Sequence, residues 1–144
     1  MNEDPYNLTR FLTAQDGIYD QALAELKRGK KETHWMWFIF PQIDGLGRSE
    51  MAIRYAIKSR QEAEAYLQHP ILGPRLTECS TALLQIHGKT ASDIMGCPDD
   101  LKLNSSMTLF AAISKPGSVF HQVIDKYFQG QTDQKTIDLL GEAI

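Results

Sequence analysis

Apolar positions along this chain recur at helical spacing, with almost no strand-like alternation. Ile18, Tyr19, Ala22, Leu23 and Leu26 share one face of a helix that Asp16 can cap and Gly29 can stop. An earlier short helix carries Leu8, Phe11 and Leu12. Ser59-Arg-Gln-Glu62 has the form of a capping box, and its helix runs through Ala63, Tyr66 and Leu67 to about His69. Pro70 opens the next helix, striped by Leu72, Leu76, Cys79, Leu83 and Ile86 and ended by Gly88; Pro74 is tolerable in its first turn. Thr90 to Gly96 predicts a short helix, and Asp99 or Asp100 to Ile113 a longer one. Ser118 caps a helix bearing Phe120, Val123, Ile124 and Tyr127, with Gly130 as its stop. A last helix begins near Thr132 or Asp133 and carries Ile137, Leu139 and Leu140.

The ambiguous segment is Trp35 to Phe40, short, aromatic and partly β-prone. Periodicity does not separate a buried strand from a buried helix there. A short helix capped by Thr33 and ended before Pro41 is the preferred reading. The predicted fold is all-α: a bundle of seven to nine helices forming a single domain over residues 1–144.

Composition narrows the class. At 144 residues the chain suits one domain, and a chain of that length buries roughly two-thirds of its unfolded surface without disulfide or metal staples. Net charge is −3, which disfavours a nucleic-acid polymer as partner. Cys79 and Cys97 form no CxxC and read as reduced thiols. The acidic, polar start MNEDPYNLTR is not a secretory signal, and the longest apolar run is far short of the ~20 residues that span a membrane. The cytoplasm is the expected compartment, with no membrane contact.

Familiar catalytic signatures are absent: no GxGxxG, GxxxxGK[ST], HExxH or GxSxG. The histidines at 34, 69, 87 and 121 are scattered, so neither a metal nor a cofactor is expected. Two stretches stand out. In THWMWFIFPQIDGLGRS, His34 and Gln42 bracket the aromatic run. Gly45 and Gly47 make a bend through which backbone amides can approach a ligand, and Ser49 can cap the helix beginning at Glu50. A loop entering a helix suits an anion, with Arg48 and Arg54 nearby. The plainer reading makes the glycines a turn, Ser49 an ordinary cap and the aromatics core. What that reading leaves over is Trp35 and Trp37, whose N–H groups want partners when buried and whose rings suit a planar ligand.

The second stretch is PDDLKLNSSMTLFAAIS. Lys102, Ser105 and Ser106 fall near one helix face, and Asn104 and Thr108 near another. So many small hydroxyls and amides in a helix interior run against propensity. They either permit close helix packing or mark a site. Neither serine has an identifiable base to activate it. HPILGPRL reads as a tight corner between helices.

Several blocks resemble a small bacterial family of unknown function whose members are often labelled calpastatin-like. They are LTRFLTAQ, ELKRGKKETHWMWFIFPQIDGLGRSEMAIRYAI, EAEAYLQHPILGPRL, PDDLKLNSSMTLF and FHQVIDKYFQGQTDQKTIDLL. The resemblance implies a compact, mainly helical domain and no established activity. Calpastatins themselves are disordered, Pro- and charge-rich repeats, a composition this chain lacks. SEMAIRYAI and YLQHPILGPRL are also similar to segments of the NADAR superfamily, whose members break N-glycosidic bonds in ADP-ribose-linked or ribosylamine compounds. That likeness implies Glu50 at the acid/base position, although Met-Ala-Ile follows it here and no Trp-Gly follows the later aspartate.

The functional expectation is a pocket for a small nucleotide-like metabolite of the ADP-ribose type. His34, Trp35, Trp37, Gln42, Gly45, Gly47 and Ser49 form one wall, and Lys102, Ser105, Ser106 and Thr108 the other. Lys102, Arg54 or a helix N-terminus holds the anionic part. In a hydrolytic version, Glu50 or Asp99 positions water on an N-glycosidic bond. The alternative is a non-enzymatic interaction module, which predicts Trp35 or Trp37 exposed in an apolar patch. A plain structural fold predicts that the two stretches do not converge.

Overall fold

The structure, a computed structural model, describes residues 4–142. Ten helices run through them: α1 (Thr9–Gln15), α2 (Tyr19–Arg28), α3 (Met36–Ile39), α4 (Glu50–Arg54), α5 (Arg60–Gln68), α6 (Leu72–Leu84), α7 (Ala91–Met95), α8 (Asp99–Ala112), α9 (Val119–Phe128) and α10 (Gln134–Glu142). The count is slightly above the predicted seven to nine; three of the ten, α3, α4 and α7, are only about one turn long. Extended chain pairs once among the described residues. Ile57 donates its N–H to the Gln42 carbonyl and accepts from the Asp44 N–H, each at 2.8 Å.

Local capping chemistry places many of the helix ends. Ser49, Ser59, Thr90 and Ser118 each accept a backbone N–H in the first turn of α4, α5, α7 and α9. Gly29 ends α2 in the left-handed conformation at φ 78°. Asp16, expected to open α2, instead closes α1: its backbone N–H reaches the Leu12 and Thr13 carbonyls. The N-terminal partner of α1 is Asp4, whose carboxylate accepts from the Leu8 and Thr9 N–H groups at 2.7 and 2.9 Å. Helix α6 starts two residues after Pro70, because His69 Nδ1 accepts the Ile71 and Leu72 N–H groups at 3.1 and 3.2 Å. It stops at Leu84, ahead of Gly88. The HPILGPRL corner is a close crossing: a Cβ on Gly73 would lie 2.0 Å from the Leu67 carbonyl oxygen.

Aromatic rings chain through the core from α3 to α9. Phe38 meets Tyr55 at 5.5 Å between centroids, Tyr55 meets Phe11 at 5.8 Å, and Phe11 sits edge-on to Tyr66 at 5.0 Å. Tyr66 then meets Phe110 at 5.5 Å, and Phe110 meets Phe120 at 5.8 Å. Offset and edge contacts of this kind add about 0.5–1.5 kcal/mol each beyond burial. Phe110 belongs to α8, which is buried almost without a break from Ser105 to Ala111. No neighbour leaves α8 a solvent stripe there, so it shows no amphipathic pattern.

The aromatic segment is helical only over Met36–Ile39, and Thr33 does not cap it. Thr33 serves Glu25 instead. The Glu25 carboxylate is 1% exposed and accepts the Thr33 hydroxyl at 2.6 Å, the Glu32 and Thr33 N–H groups at 2.7 and 3.0 Å, and the Trp35 indole N–H at 2.9 Å. Burial by itself would raise this carboxyl; the Thr33 hydroxyl, the Glu32 N–H, the Trp35 indole and the Thr33 N–H outweigh it and hold it down at about 2. Trp35 is thus anchored inside, at 0% exposure.

The depressed carboxyl makes stability pH-dependent. Glu25 contributes fully above its ordinary value of 4.5, and the contribution fades as pH falls from there toward about 2. The loss is on the order of 3 kcal/mol. Denaturant midpoints measured against pH should fall across that window, and Glu25→Gln should lower stability at neutral pH and flatten the acid limb.

Candidate functional site

The two stretches singled out in the sequence touch, but at a filled seam. The Lys102 ammonium lies 5.7 Å from the Trp37 ring centroid. Asp99 pairs with Lys31 at 2.9 Å and with Lys102 at 3.8 Å, and the Lys31 ammonium lies 5.0 Å from the Trp35 ring. Between Trp37, Gln42, Gly45 and Gly47 the open volume is about 10 Å³, room for one water. A Cβ on Gly45 would meet the Leu139 side chain at 3.2 Å, and one on Gly47 the Ala52 Cβ at 2.6 Å. The glycines let α10 and α4 close over the bend. Ser49 caps α4, accepting the Ala52 N–H at 3.1 Å. His34 is exposed and is not part of this cavity lining.

The polar face of α8 is occupied in another way. Ser105 donates to the Asp133 carboxylate at 2.9 Å, and Thr136 donates to the same carboxylate oxygen at 2.5 Å. The Asp133 N–H donates to the Thr108 hydroxyl at 2.9 Å, which itself donates to the Asn104 amide oxygen at 3.3 Å. These hydroxyls cradle the start of α10. Ser106 is fully buried, and its hydroxyl has no hydrogen-bond partner. The expected wall of Lys102, Ser105, Ser106 and Thr108 therefore packs on its own protein neighbours. Trp35 offers no surface for docking, and Trp37 is half-buried.

Open space lies on the other side of α4. One depression, of about 500 Å³, is lined by Tyr6, Arg10, Arg54, Lys58, Ser59 and Glu62, among others. A second, of about 590 Å³, is lined by Arg48, Glu50, Ile53 and Arg54. Arg54 borders both. Arg10 underlies the first and is fully engaged, since a guanidinium has five N–H donors. Its Nε reaches the Arg54 carbonyl, one terminal nitrogen the Tyr6 and Asn7 carbonyls, and the other the Ala56 carbonyl, all at 2.8 Å. That last nitrogen also pairs with Glu62 at 2.7 Å. The other oxygen of Glu62 accepts the Lys58 N–H at 3.0 Å, and Ser59 accepts the Glu62 N–H at 3.1 Å, so the predicted capping box closes one residue early.

This division of labour decides which charges face a ligand. Arg10 has no donor left to offer. The Arg48 and Arg54 side chains are exposed, and the Lys58 ammonium reaches the Ile53 carbonyl at 3.1 Å with Asp44 at 3.8 Å. Glu50 is exposed between the two arginines along the chain. Of the predicted residues, the structure thus brings Glu50 and Arg54 together at one depression. It gathers Trp37, Gln42, Gly45 and Gly47 behind α4, and it leaves Asp99, Lys102, Ser105 and Thr108 in the α8 packing. Sequence reasoning missed Tyr6, Arg10 and Lys58. Arg10 makes key contacts 44 to 52 residues away, which no local pattern announces.

Residues 5–140 match the family model described as protein of unknown function (DUF1810), and the chain belongs to that family. It is similar to a solved structure, that of the conserved hypothetical protein Rv1873 from Mycobacterium tuberculosis. The two are 49% identical over 96% of this chain and 99% of that one, with a TM-score of 0.94. No curated protein matches the chain. No helix among the described residues is long and apolar enough to cross a membrane.

Arg10→Ala strands Glu62, whose side chain is 3% exposed, and frees four carbonyls at once. A loss of about 3–5 kcal/mol is expected in chemical denaturation. Pairing Arg10→Met with Glu62→Gln should recover part of it, since no charge is then left alone.

Proposed function

We propose that the chain binds a small, anionic, nucleotide-like metabolite on the outer face of α4, with Arg54 as the principal anion-holding side chain. The observation that carries this reading is that Arg54 borders two open depressions while the Arg10 beneath it is spent on the protein. Arg48 and Lys58 flank it, and a planar, bidentate guanidinium suits phosphate oxygens better than a point charge. The reading keeps two residues of the sequence expectation, Arg54 and Glu50. It moves the pocket from the Trp37–Lys102 seam to the surface that the seam supports from behind.

The hydrolytic form assigns Glu50 as the group that positions water on an N-glycosidic bond. Glu50 is the one carboxylate lining the depression with Arg48 and Arg54, and the NADAR likeness of SEMAIRYAI puts an acid/base there.

Thermal-shift titration with pyrophosphate and ADP-ribose tests binding. A ligand at ten times its Kd adds about 1.4 kcal/mol, a few degrees for a chain of this size. Arg54→Glu should remove the shift and leave the unliganded melting point nearly unchanged, because its side chain is exposed. No shift at millimolar ligand sinks the reading. Glu50→Gln should retain binding and lose any release of adenine from ADP-ribose seen by chromatography; binding without turnover in the parent protein leaves a binding protein alone.

A further inference from the structure

The cleft beside Arg54 does not end at Arg10. Pro5 and Tyr6 line it, and the same two residues line a further depression of about 360 Å³ on their other side. The walls of this second lobe differ in chemistry. Leu8 and Leu12 come from the α1 side and Ala65 from α5, with His69 and Thr9 among its lining residues. Among the described residues no lysine or arginine lines it, and one carboxylate, that of Asp4, does. One lobe is thus cationic, the other apolar with polar groups in its wall, and a half-buried tyrosine ring stands between them.

The hydrogen-bonding state of the second lobe can be read from the fold. His69 Nδ1 accepts two backbone N–H groups, those of Ile71 and Leu72, so in the neutral ring the proton sits on Nε2. His69 therefore offers a donor. The Thr9 hydroxyl donates to Asp4, which leaves its lone pairs as acceptors. An acyl chain would use the apolar wall but leave these groups unsatisfied. A flat heteroaromatic ring with polar edges uses both, and Tyr6 gives it a face to stack on.

We infer that the two lobes form one bipartite site for a nucleoside diphosphate, with the phosphates at Arg54 and Lys58 and the base in the lobe between Tyr6, Leu12, Ala65 and His69. This rests on the proposed anion site at Arg54 and adds to it the part of the ligand that confers selectivity.

The experiment is a calorimetric titration of the full chain with pyrophosphate, ADP and adenosine, repeated with Ala65→Phe, which fills the second lobe, and Tyr6→Ala, which removes the stacking face. ADP should bind about tenfold or more tighter than pyrophosphate, the gain expected of one stacked base. Each variant should bring ADP down to the pyrophosphate level, and Ala65→Phe, which lies outside the anion lobe, should leave pyrophosphate itself unchanged; circular dichroism and the melting point show whether each is folded. If ADP binds no tighter than pyrophosphate, or both folded variants keep the difference, the base lobe is overturned and the Arg54 site stands. If neither pyrophosphate nor ADP binds, both are overturned together.

Discussion

One guanidinium sets the form of the surface on which function is proposed. Arg10 spends every N–H it has on carbonyls of the Tyr6–Asn7 turn, the end of α4 and the chain leading to α5, and on the carboxylate of Glu62. All but the Asn7 carbonyl, which also accepts the Arg10 backbone N–H at 3.3 Å, would otherwise be polar groups to satisfy near an apolar core. The arrangement lets irregular chain between α3 and α5 lie flat against α1 without a sheet to organise it. It also separates roles among neighbouring cations: Arg10 holds the backbone, while the exposed Arg54 guanidinium overhangs only the Tyr55 ring, 6.0 Å from its centroid.

A second carboxylate works in the opposite sense. Glu25 turns its oxygens toward the loop that follows α2 and collects four donors from three consecutive or near-consecutive residues. These four hydrogen bonds span only 7 to 10 residues, so the loop and the buried Trp35 are fixed locally. Gln15 and Glu25 together hold α3, a single turn with no side-chain cap: from the end of α1 the Gln15 amide donates to the Phe38 carbonyl at 2.8 Å, and from α2 Glu25 holds the chain that enters it.

What the sequence made legible follows the range of the forces involved. Caps such as Ser59, Thr90 and Ser118 act within three residues, so their helices were readable to within a residue. Asp16 was misplaced because an aspartate before an apolar run looks the same whether it opens a helix or closes the previous one. The density of Ser and Thr on α8 was legible as an anomaly but not in its meaning, since Asp133, which Ser105 and Thr136 both reach, lies 28 residues downstream of Ser105. For the site, Arg54 and Glu50 were readable from their place beside a capped helix, whereas Tyr6 and Lys58 enter only through tertiary packing. The tryptophans drew attention for a sound reason, that a buried indole N–H needs a partner; the partner is Glu25 in place of a ligand.

The two indoles also differ as chromophores. They are the chain's only tryptophans, two positions apart, and their surroundings diverge. Trp35 is sealed from solvent with its N–H on an ionised carboxylate, while Trp37 is partly exposed under an ammonium group. An aqueous quencher therefore reaches one and spares the other. The emission of this protein is a two-component signal in which the quenchable part reports the α3–α8 seam and the protected part reports the loop after α2. Replacing either indole by phenylalanine would leave a single-site optical probe, with no label added.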